Sequence, residues 1–281
     1  MMNYGSNGKM NISKLLLSIV TCSAIFANTY AENCITVPEL NNPKIKIDGK
    51  ISSNEWDKAS LIAPMLSMDN KAILLPSGEV NIAFDKDYLY LGIKTKFQPS
   101  TDVAGAQSLK TLSKQRDSRV FDDDSIEIIL TKNRNNTKLH QIILNSVGAI
   151  YDAEYINNSS NQNWNIKQLK SASTVKDCTW VLEVKIPRKE VGLDKVTSCY
   201  LNICRNWARL RSNSTLNGGE YLDRKSIFRL DISKKGENVK IYQPIQKNEN
   251  MSFKTKANGK LKLLFTSTTG KKILQPKFFT F

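Results

Sequence analysis

The stretch Trp180-Val181-Leu182-Glu183-Val184-Lys185-Ile186, which ends at Pro187, decides the fold class. Every second side chain is large and apolar, and a period of two residues indicates a β-strand with one buried face. Pro187 ends the strand because proline has no N–H to donate to a neighbouring strand. On this pattern we expect Glu183, which alternates with the buried positions, to face solvent.

Similar short apolar runs lie on both sides of this strand, separated by polar turns of hairpin length. They cover residues 80–84, 88–93, 125–130, 139–144, 201–205 and 227–230. No long segment has an apolar period of 3.6 residues, so long amphipathic helices are not expected. Many short strands with turns between them predict an all-β fold, an antiparallel sandwich or barrel.

The two ends of the chain differ in composition from the middle. Residues 1–31 contain Lys9 and Lys14, a short apolar run and a final Ala31, the pattern of a secretory signal peptide. We therefore expect a protein that is secreted, periplasmic or on the cell surface, without a transmembrane segment. Lipid attachment at Cys22 is a second hypothesis for export, and a buried N-terminal helix is the non-export alternative.

The net charge of +15 is concentrated outside the predicted main domain, residues 32–233. Residues 1–31 carry +2 and residues 234–281 carry +9, from 11 Lys and 2 Glu, which leaves +4 on the main domain. The lysines of 234–281 are mostly single and lie between polar and apolar residues, which does not indicate a nucleic-acid site. We interpret 234–281 as a basic, strand-rich extension or an incomplete second unit.

Four cysteines follow the predicted signal peptide, namely Cys34, Cys178, Cys199 and Cys204. An even number in an exported chain permits two disulfides, and the sequence does not choose among the three possible pairings. A structural zinc site is not expected, because no CxxC pair is present and His140 is the only histidine.

A series of short motifs in a fixed order links this chain to a known family. The motifs are Ile-Asp-Gly-Lys at 47–50, Asn-Glu-Trp-Asp-Lys-Ala at 54–59, the hairpin 82–91, Asp-Asp-Ser-Ile-Glu-Ile at 123–128, the strand 141–145 with its following Gly148, the strand 180–187, and Leu-Asn-Ile-Cys-Arg at 201–205. Together they resemble the family 9 carbohydrate-binding modules and their DOMON-like relatives over residues 44–232. The resemblance implies a jelly-roll-like sandwich in which Trp56 covers one end of the core.

The resemblance also implies a site where a sugar ring lies between two aromatic side chains. The aromatic positions match Phe121 and Tyr221, and the family's sugar-contacting glutamate matches Glu127. Asn145 is a candidate amide partner for sugar hydroxyls. A pyranose has an apolar face that stacks on an aromatic ring, while its hydroxyl groups need directional hydrogen bonds.

This chain departs from the family pattern at two kinds of position. Phe121 and Tyr221 stand where the family usually has tryptophan, and Ile143 stands where a basic residue is expected. Arg205 could supply the missing guanidinium from a neighbouring strand. Trp164 and Trp207 are alternative platforms for a sugar, although each of these aromatic residues could instead pack on the core.

The run Asp122-Asp123-Asp124 offers clustered carboxylates of the kind that bind Ca²⁺, and some family members carry calcium. The spacing is not that of an EF-hand loop. A polar turn that leads into a strand is the favoured explanation of the run, so calcium is a minor hypothesis and no other cofactor is expected.

These observations favour an exported, non-catalytic module that binds an oligo- or polysaccharide, with any hydrolysis supplied by a partner glycoside hydrolase. A hydrolytic protein acting on O-glycosyl bonds is the first alternative, although no catalytic signature is present. A surface or structural sandwich with a degenerate sugar site is the second. A haem-binding role is disfavoured, because axial ligation needs His or Met and His140 is the only histidine.

Overall fold

The computed structural model describes residues 33–68, 78–97, 109–135, 138–157, 159–223 and 226–242, and the backbone of 260–263 and 277–280. The predicted signal peptide, residues 1–31, and Cys22 lie outside the described residues. Within the described residues, no helix is both long enough and apolar enough to cross a membrane.

The larger of two sheets, the front sheet, has nine strands. Numbered in chain order, they are β1 (Cys34–Pro38), β3 (Leu66–Ser67), β6 (Ser125–Thr131), β7 (Lys138–Asn145), β8 (Ile150–Ile156), β9 (Ser159–Asn161), β12 (Ser198–Trp207), β13 (Ser212–Thr215) and β14 (Phe228–Ser233). The main order is β1-β14-β12-β6-β7-β8-β9, and β13 pairs with both β12 and β3.

The smaller sheet, the back sheet, has six strands in the order β10-β11-β5-β4-β2-β15. They are β2 (Ser60–Ala63), β4 (Gly78–Phe84), β5 (Tyr88–Lys96), β10 (Lys170–Lys176), β11 (Thr179–Pro187) and β15 (Lys240–Tyr242). The remaining elements are the short helix α1 (Ser53–Trp56) and an antiparallel pair made of β16 (Lys260–Leu263) and β17 (Lys277–Thr280).

The main core lies between the two sheets and is filled by alternate residues of their strands. Ile128 of β6 and Ile142 of β7 contribute from the front sheet, and Leu91 of β5 and Val184 of β11 contribute from the back sheet. Each of the four is fully buried. The all-β sandwich that the period-two pattern predicted is therefore confirmed.

Two pairings at the sheet edges are parallel, so the sheets are mixed and not purely antiparallel. β1 runs parallel to β14, and β15 runs parallel to β2. Neighbours that are distant in the chain cannot be recognised from hairpin-length turns, because a parallel pair needs a long crossover. Since β15 belongs to the back sheet, the predicted boundary between 233 and 234 falls inside the sandwich and not at its end.

Part of the outer face of the back sheet is covered by residues 47–56, which we call the N-terminal segment. The side chain of Glu183 on β11 is fully buried beneath it. Its carboxylate accepts hydrogen bonds from the backbone N–H groups of Asp48 at 2.9 Å and Gly49 at 2.8 Å. It also accepts one from the indole Nε1 of Trp56 at 2.8 Å. The expectation that Glu183 faces solvent is wrong, because the segment that covers it comes from more than 120 residues earlier in the chain.

Trp56 lies on the outer face of the back sheet and does not cover an end of the main core. Its ring rests on Gly92 of β5, the residue directly opposite Glu183 in the sheet. A Cβ atom at Gly92 would lie 3.0 Å from the Trp56 ring, so only glycine leaves room for the indole at this distance. Gly49 has a φ of 81°, which glycine adopts at little cost.

No disulfide joins Cys34, Cys178, Cys199 and Cys204, all of which lie in the described residues. The two disulfides that the even cysteine count permitted are therefore not formed in this structure. Cys199 and Cys204 are five positions apart on β12 and therefore lie on opposite faces of the front sheet. The Sγ of Cys34 instead donates a hydrogen bond to the Asp231 carboxylate at 3.1 Å.

Replacing Glu183 with alanine should destabilise the protein by about 3 kcal/mol or more, because buried N–H donors lose their acceptor. Urea unfolding of the variant measures this loss. Glu79→Ala, which removes a half-exposed carboxylate on β4 of the same sheet, is the matched control and should change stability by less than about 1 kcal/mol. Similar, small losses in both variants would contradict the anchoring role of Glu183.

Candidate functional site

A cleft of about 390 Å³ lies on the outer face of the front sheet, over strands β12, β6, β7 and β8. Phe121 at its edge is 42% exposed, so the cleft is accessible from solvent. Its lining comprises four aromatic rings, three amides, one carboxylate and three smaller or aliphatic side chains: Phe121, Tyr151, Tyr155, Tyr221, Gln141, Asn206, Asn213, Glu127, Ser125, Ile143 and Cys204.

Strand register explains why these side chains converge. Glu127 of β6 lies opposite Cys204 of β12 on one side and Ile143 of β7 on the other. Ile143 in turn lies opposite Tyr151 of β8. Residues that are directly opposite one another point to the same face of a sheet, so this row forms the floor of the cleft.

A short chain of hydrogen bonds fixes the polar side of the cleft. The hydroxyl of Tyr155 donates to Oε1 of Gln141 at 2.8 Å, and Nε2 of Gln141 donates to Oε1 of Glu127 at 2.5 Å. The two bonds together determine which way the Gln141 amide points. No described side chain or backbone group donates to the second oxygen, Oε2 of Glu127, which leaves this acceptor for a ligand.

Burial raises the pKa of the Glu127 carboxyl to about 7, and the hydrogen bond from Gln141 only partly opposes this effect. Glu127 is 9% exposed. Near neutral pH the carboxyl is therefore close to its midpoint, and a ligand that supplies a donor or a positive charge favours the ionised form.

Phe121 lies in a turn of 3₁₀ helix, Val120–Asp122, directly before β6. Its ring contacts Tyr151 edge-on, with 5.7 Å between the ring centroids. The guanidinium of Arg119 lies over the Phe121 ring, 5.4 Å from its centroid, and its Nε is 2.6 Å from the Asp122 carboxylate. The ring is thus held at the edge of the cleft by contacts on two sides.

Tyr221 reaches the cleft from the loop between β13 and β14. Its backbone carbonyl accepts a hydrogen bond from the Asn202 side chain at 3.2 Å, which attaches this loop to the outer face of β12. Of the residues predicted for the sugar site, Phe121, Glu127 and Tyr221 therefore line one cleft although they lie up to 100 positions apart in sequence.

Arg205 does not reach this cleft, which corrects the expectation that it supplies a guanidinium there. It follows Cys204 by one residue, and adjacent strand residues point to opposite faces. Its side chain is fully buried on the core side, 2.8 Å from the Asp124 carboxylate. It lies between the rings of Trp180 and Trp207, at 5.0 and 4.3 Å from their centroids.

Asn145 also differs from its predicted role, because its side chain is buried and bonded within the protein. Its Nδ2 donates to the Ser113 carbonyl at 2.9 Å and to the Asp123 carboxylate at 3.0 Å. Its Oδ1 accepts from the Ala149 N–H at 2.9 Å. Asn145 therefore joins the turn after β7 to the loop before β6 and is not in the cleft lining.

The two alternative tryptophan platforms pack on the core. Trp207 is buried, and its Nε1 donates to Ser214 at 2.8 Å. Trp164 is partly buried against the main core, and its ring lies 4.7 Å from the His140 ring. Neither ring belongs to the cleft, because neither lies on the outer face of the front sheet.

The three neighbouring aspartates, which the calcium hypothesis groups together, point to three separate partners. Asp122 pairs with Arg119, and Asp124 pairs with Arg205. Asp123 is fully buried and accepts from the N–H groups of Leu112 and Ser113. Across the described ranges, no group of three or more His, Cys, Asp or Glu side chains is arranged to hold a metal ion.

The sequence pattern did not identify Gln141, Tyr151, Tyr155, Asn206 and Asn213 as part of this site. Tyr151 and Tyr155 are four positions apart on β8 and share a face, so a period-two pattern across 150–156 would have placed them together. That pattern alone would not have shown whether the shared face points to the core or outward, because Tyr151 is largely buried and Tyr155 is half-buried.

These features define a β-sandwich binding module with an aromatic, carboxylate-containing cleft on the outer face of one sheet. The family described as Carbohydrate family 9 binding domain-like matches residues 47–206, more than half of the chain. The chain belongs to this family. No curated protein matches the chain.

Solved structures of similar fold include a candidate carbohydrate-binding protein from Bacteroides uniformis, with a TM-score of 0.56 and 13% identity over 72% of this chain and 99% of that one. A family 9 carbohydrate-binding module from Caldicellulosiruptor kristjanssonii in complex with glucose has a TM-score of 0.52 and 14% identity over 71% and 95%. A cellotriose complex of a module from the same organism has a TM-score of 0.52 and 13% identity over 71% and 93%. At this identity the similarity shows the fold alone.

Replacing Glu127 with glutamine should stabilise the protein relative to the wild type as pH rises. The folded-state pKa of about 7 lies above the ordinary 4.5, so the cost of burying the charge is absent at low pH and grows between these values. We expect the free energy of unfolding of the variant, relative to that of the wild type, to increase from pH 4 to pH 8. The increase should be at most about 3 kcal/mol.

Urea unfolding at the two pH values measures this difference. Glu79→Gln removes a half-exposed carboxylate from the back sheet and controls for the loss of one negative charge. A Glu127→Gln variant whose relative stability is the same at both pH values would contradict a charge-burying site at Glu127.

Proposed function

We propose that this chain is a non-catalytic module that binds a carbohydrate in the front-sheet cleft, with the sugar stacked against Phe121 and Tyr221. The observation that carries the proposal is the convergence of these two rings with Glu127 in one solvent-accessible cleft. The same three positions correspond to the sugar-contacting positions implied by the resemblance to family 9 modules.

The chemistry of the lining suits a sugar. Aromatic rings match the apolar face of a pyranose, and Oε2 of Glu127 and the amides of Asn206 and Asn213 offer acceptors and donors to its hydroxyl groups. A volume of about 390 Å³ is at the small end of the range for ligand sites, ~300–1,000 Å³. This size favours one or two sugar residues over a long polymer segment.

A binding role is favoured over hydrolysis by the number of carboxylates in the cleft. Glycoside hydrolysis ordinarily needs two carboxyl groups that flank the scissile bond. Among the described lining residues, Glu127 is the one carboxylate. We therefore propose that breakdown of a polysaccharide, where this module takes part in it, is performed by a partner hydrolase.

Titration calorimetry of the full chain with glucose, cellobiose and xylobiose tests the site. Glucose and cellobiose are chosen because the Caldicellulosiruptor modules of similar fold are in complex with glucose and cellotriose. Phe121→Ala and Tyr221→Ala should each weaken binding about tenfold or more, since each removes a stacking surface. Tyr242→Ala, which removes a similarly exposed ring from the back sheet, should bind as the wild type does.

Unchanged affinity in both cleft variants would place the site elsewhere. The absence of heat with any sugar, from protein that is demonstrably folded, would instead favour the alternative of a surface or structural sandwich with a degenerate site. Phe121 and Tyr221 in place of the family's usual tryptophans are the observation that favours this alternative.

We also propose that residues 1–31 direct export and are then removed. Lys9, Lys14 and the small Ala31 before Glu32 support this proposal. N-terminal sequencing of the exported protein should begin at Glu32. A mature protein that begins at Cys22 would favour lipid attachment, and one that retains Met1 would contradict a cleaved signal.

A further inference from the structure

The charge of the cleft contrasts with the charge of the chain. The protein carries a net charge of +15, yet no lysine or arginine is among the described residues that line the cleft. The one acidic side chain on its floor is Glu127, whose carboxyl is close to its midpoint near neutral pH. Among the described lining residues, a sugar in this cleft therefore meets one acidic side chain and no basic one.

Four aromatic rings line the same cleft as this carboxyl. Tyr151 lies two strands away in the same row of the sheet, and Tyr155 is connected to Glu127 through Gln141. Phe121 contacts Tyr151 edge-on, and Tyr221 also lines the cleft. The face of an aromatic ring carries a negative quadrupole that attracts cations, most strongly where water is excluded.

The carboxyl itself is under-satisfied. Within the described part of the chain, its one hydrogen bond is from Gln141, and Oε2 has no donor. Its raised pKa, about 7, reflects burial without a compensating positive charge. A ligand that brings a cation into contact with Oε2 would remove this cost of burial.

We infer that the cleft selects a sugar bearing a protonated amino group over its neutral, acetylated or acidic counterparts. The inference rests on the proposed carbohydrate-binding function of the same cleft. The ammonium group pairs with Oε2 of Glu127 and lies against the faces of the surrounding tyrosines. A uronic acid is disfavoured, because its carboxylate would lie near Glu127 with no lysine or arginine in the described lining to offset the repulsion.

Two arginines near the cleft do not pair with the Glu127 carboxyl. The Arg119 guanidinium lies at the edge, over the outer ring Phe121, and is paired with Asp122. The Arg205 guanidinium lies behind the sheet, is fully buried and is paired with Asp124. The Arg119 contact also shows that the Phe121 ring already accepts one cation on its face.

The test compares three β-1,4-linked disaccharides that differ at carbon 2 only: cellobiose with hydroxyl groups, fully deacetylated chitobiose with ammonium groups, and N,N′-diacetylchitobiose with neutral amides. Calorimetric titration of the full chain is performed near pH 7, where amines are protonated in part and the Glu127 carboxyl is close to its midpoint. The deacetylated disaccharide should bind about tenfold more tightly than cellobiose or the acetylated form.

Glu127→Gln keeps the shape of the side chain and removes its charge. It should abolish the preference, so that the deacetylated disaccharide and cellobiose bind with similar affinity. Tyr155→Phe, which removes the hydroxyl that orients Gln141 but keeps the ring, should retain most of the preference, because the charge and the aromatic faces remain.

The outcomes separate this inference from the proposed function. Binding of cellobiose with no preference for the deacetylated disaccharide would overturn the inference and leave carbohydrate binding intact. A preference that survives in Glu127→Gln would also overturn it. No binding of any of the three by folded protein would remove both the inference and the proposed function.

Discussion

The structure depends on one buried carboxylate, that of Glu183. It lies on the outer face of the back sheet and accepts hydrogen bonds from three consecutive backbone N–H groups and the indole of Trp56. These bonds hold the N-terminal segment against the sheet, and Gly92 leaves the space in which the Trp56 ring packs. The chain itself therefore covers the part of this face around Glu183 and Gly92.

The outer face of the front sheet carries the cleft that is available for a ligand. The alternation of its strands sends Ile126, Ile128 and Leu130 into the core and turns Glu127 outward. The same alternation puts Arg205 on the core side and Cys204 in the cleft. The position of the site is therefore a consequence of register, and a shift of β12 by one residue would exchange the buried arginine for the thiol.

The sequence predicted the fold class well, since the period-two runs correspond to β4, β5, β6, β7, β11, β12 and β14. It also brought Phe121, Glu127 and Tyr221 together, through motif order and not through periodicity. It did not predict the burial of Glu183, because its cover comes from residues 48–56, far away in the chain. Arg205 was misplaced because a motif match names a residue but does not say which face of the strand it occupies.

Glu183 and Glu127 are both buried carboxylates on the outer face of a sheet, yet their environments differ in the number of donors. Glu183 accepts four hydrogen bonds from the protein, and these oppose the rise in its pKa that burial causes. Glu127 accepts one, and burial raises its pKa to about 7. A buried carboxylate with several donors, such as Glu183, helps to stabilise the fold. A buried carboxylate with one donor, such as Glu127, costs stability until a ligand supplies further donors. The number of hydrogen bonds that each carboxylate accepts from the protein, more than the residue type, therefore distinguishes the structural Glu183 from Glu127, which we assign to the ligand.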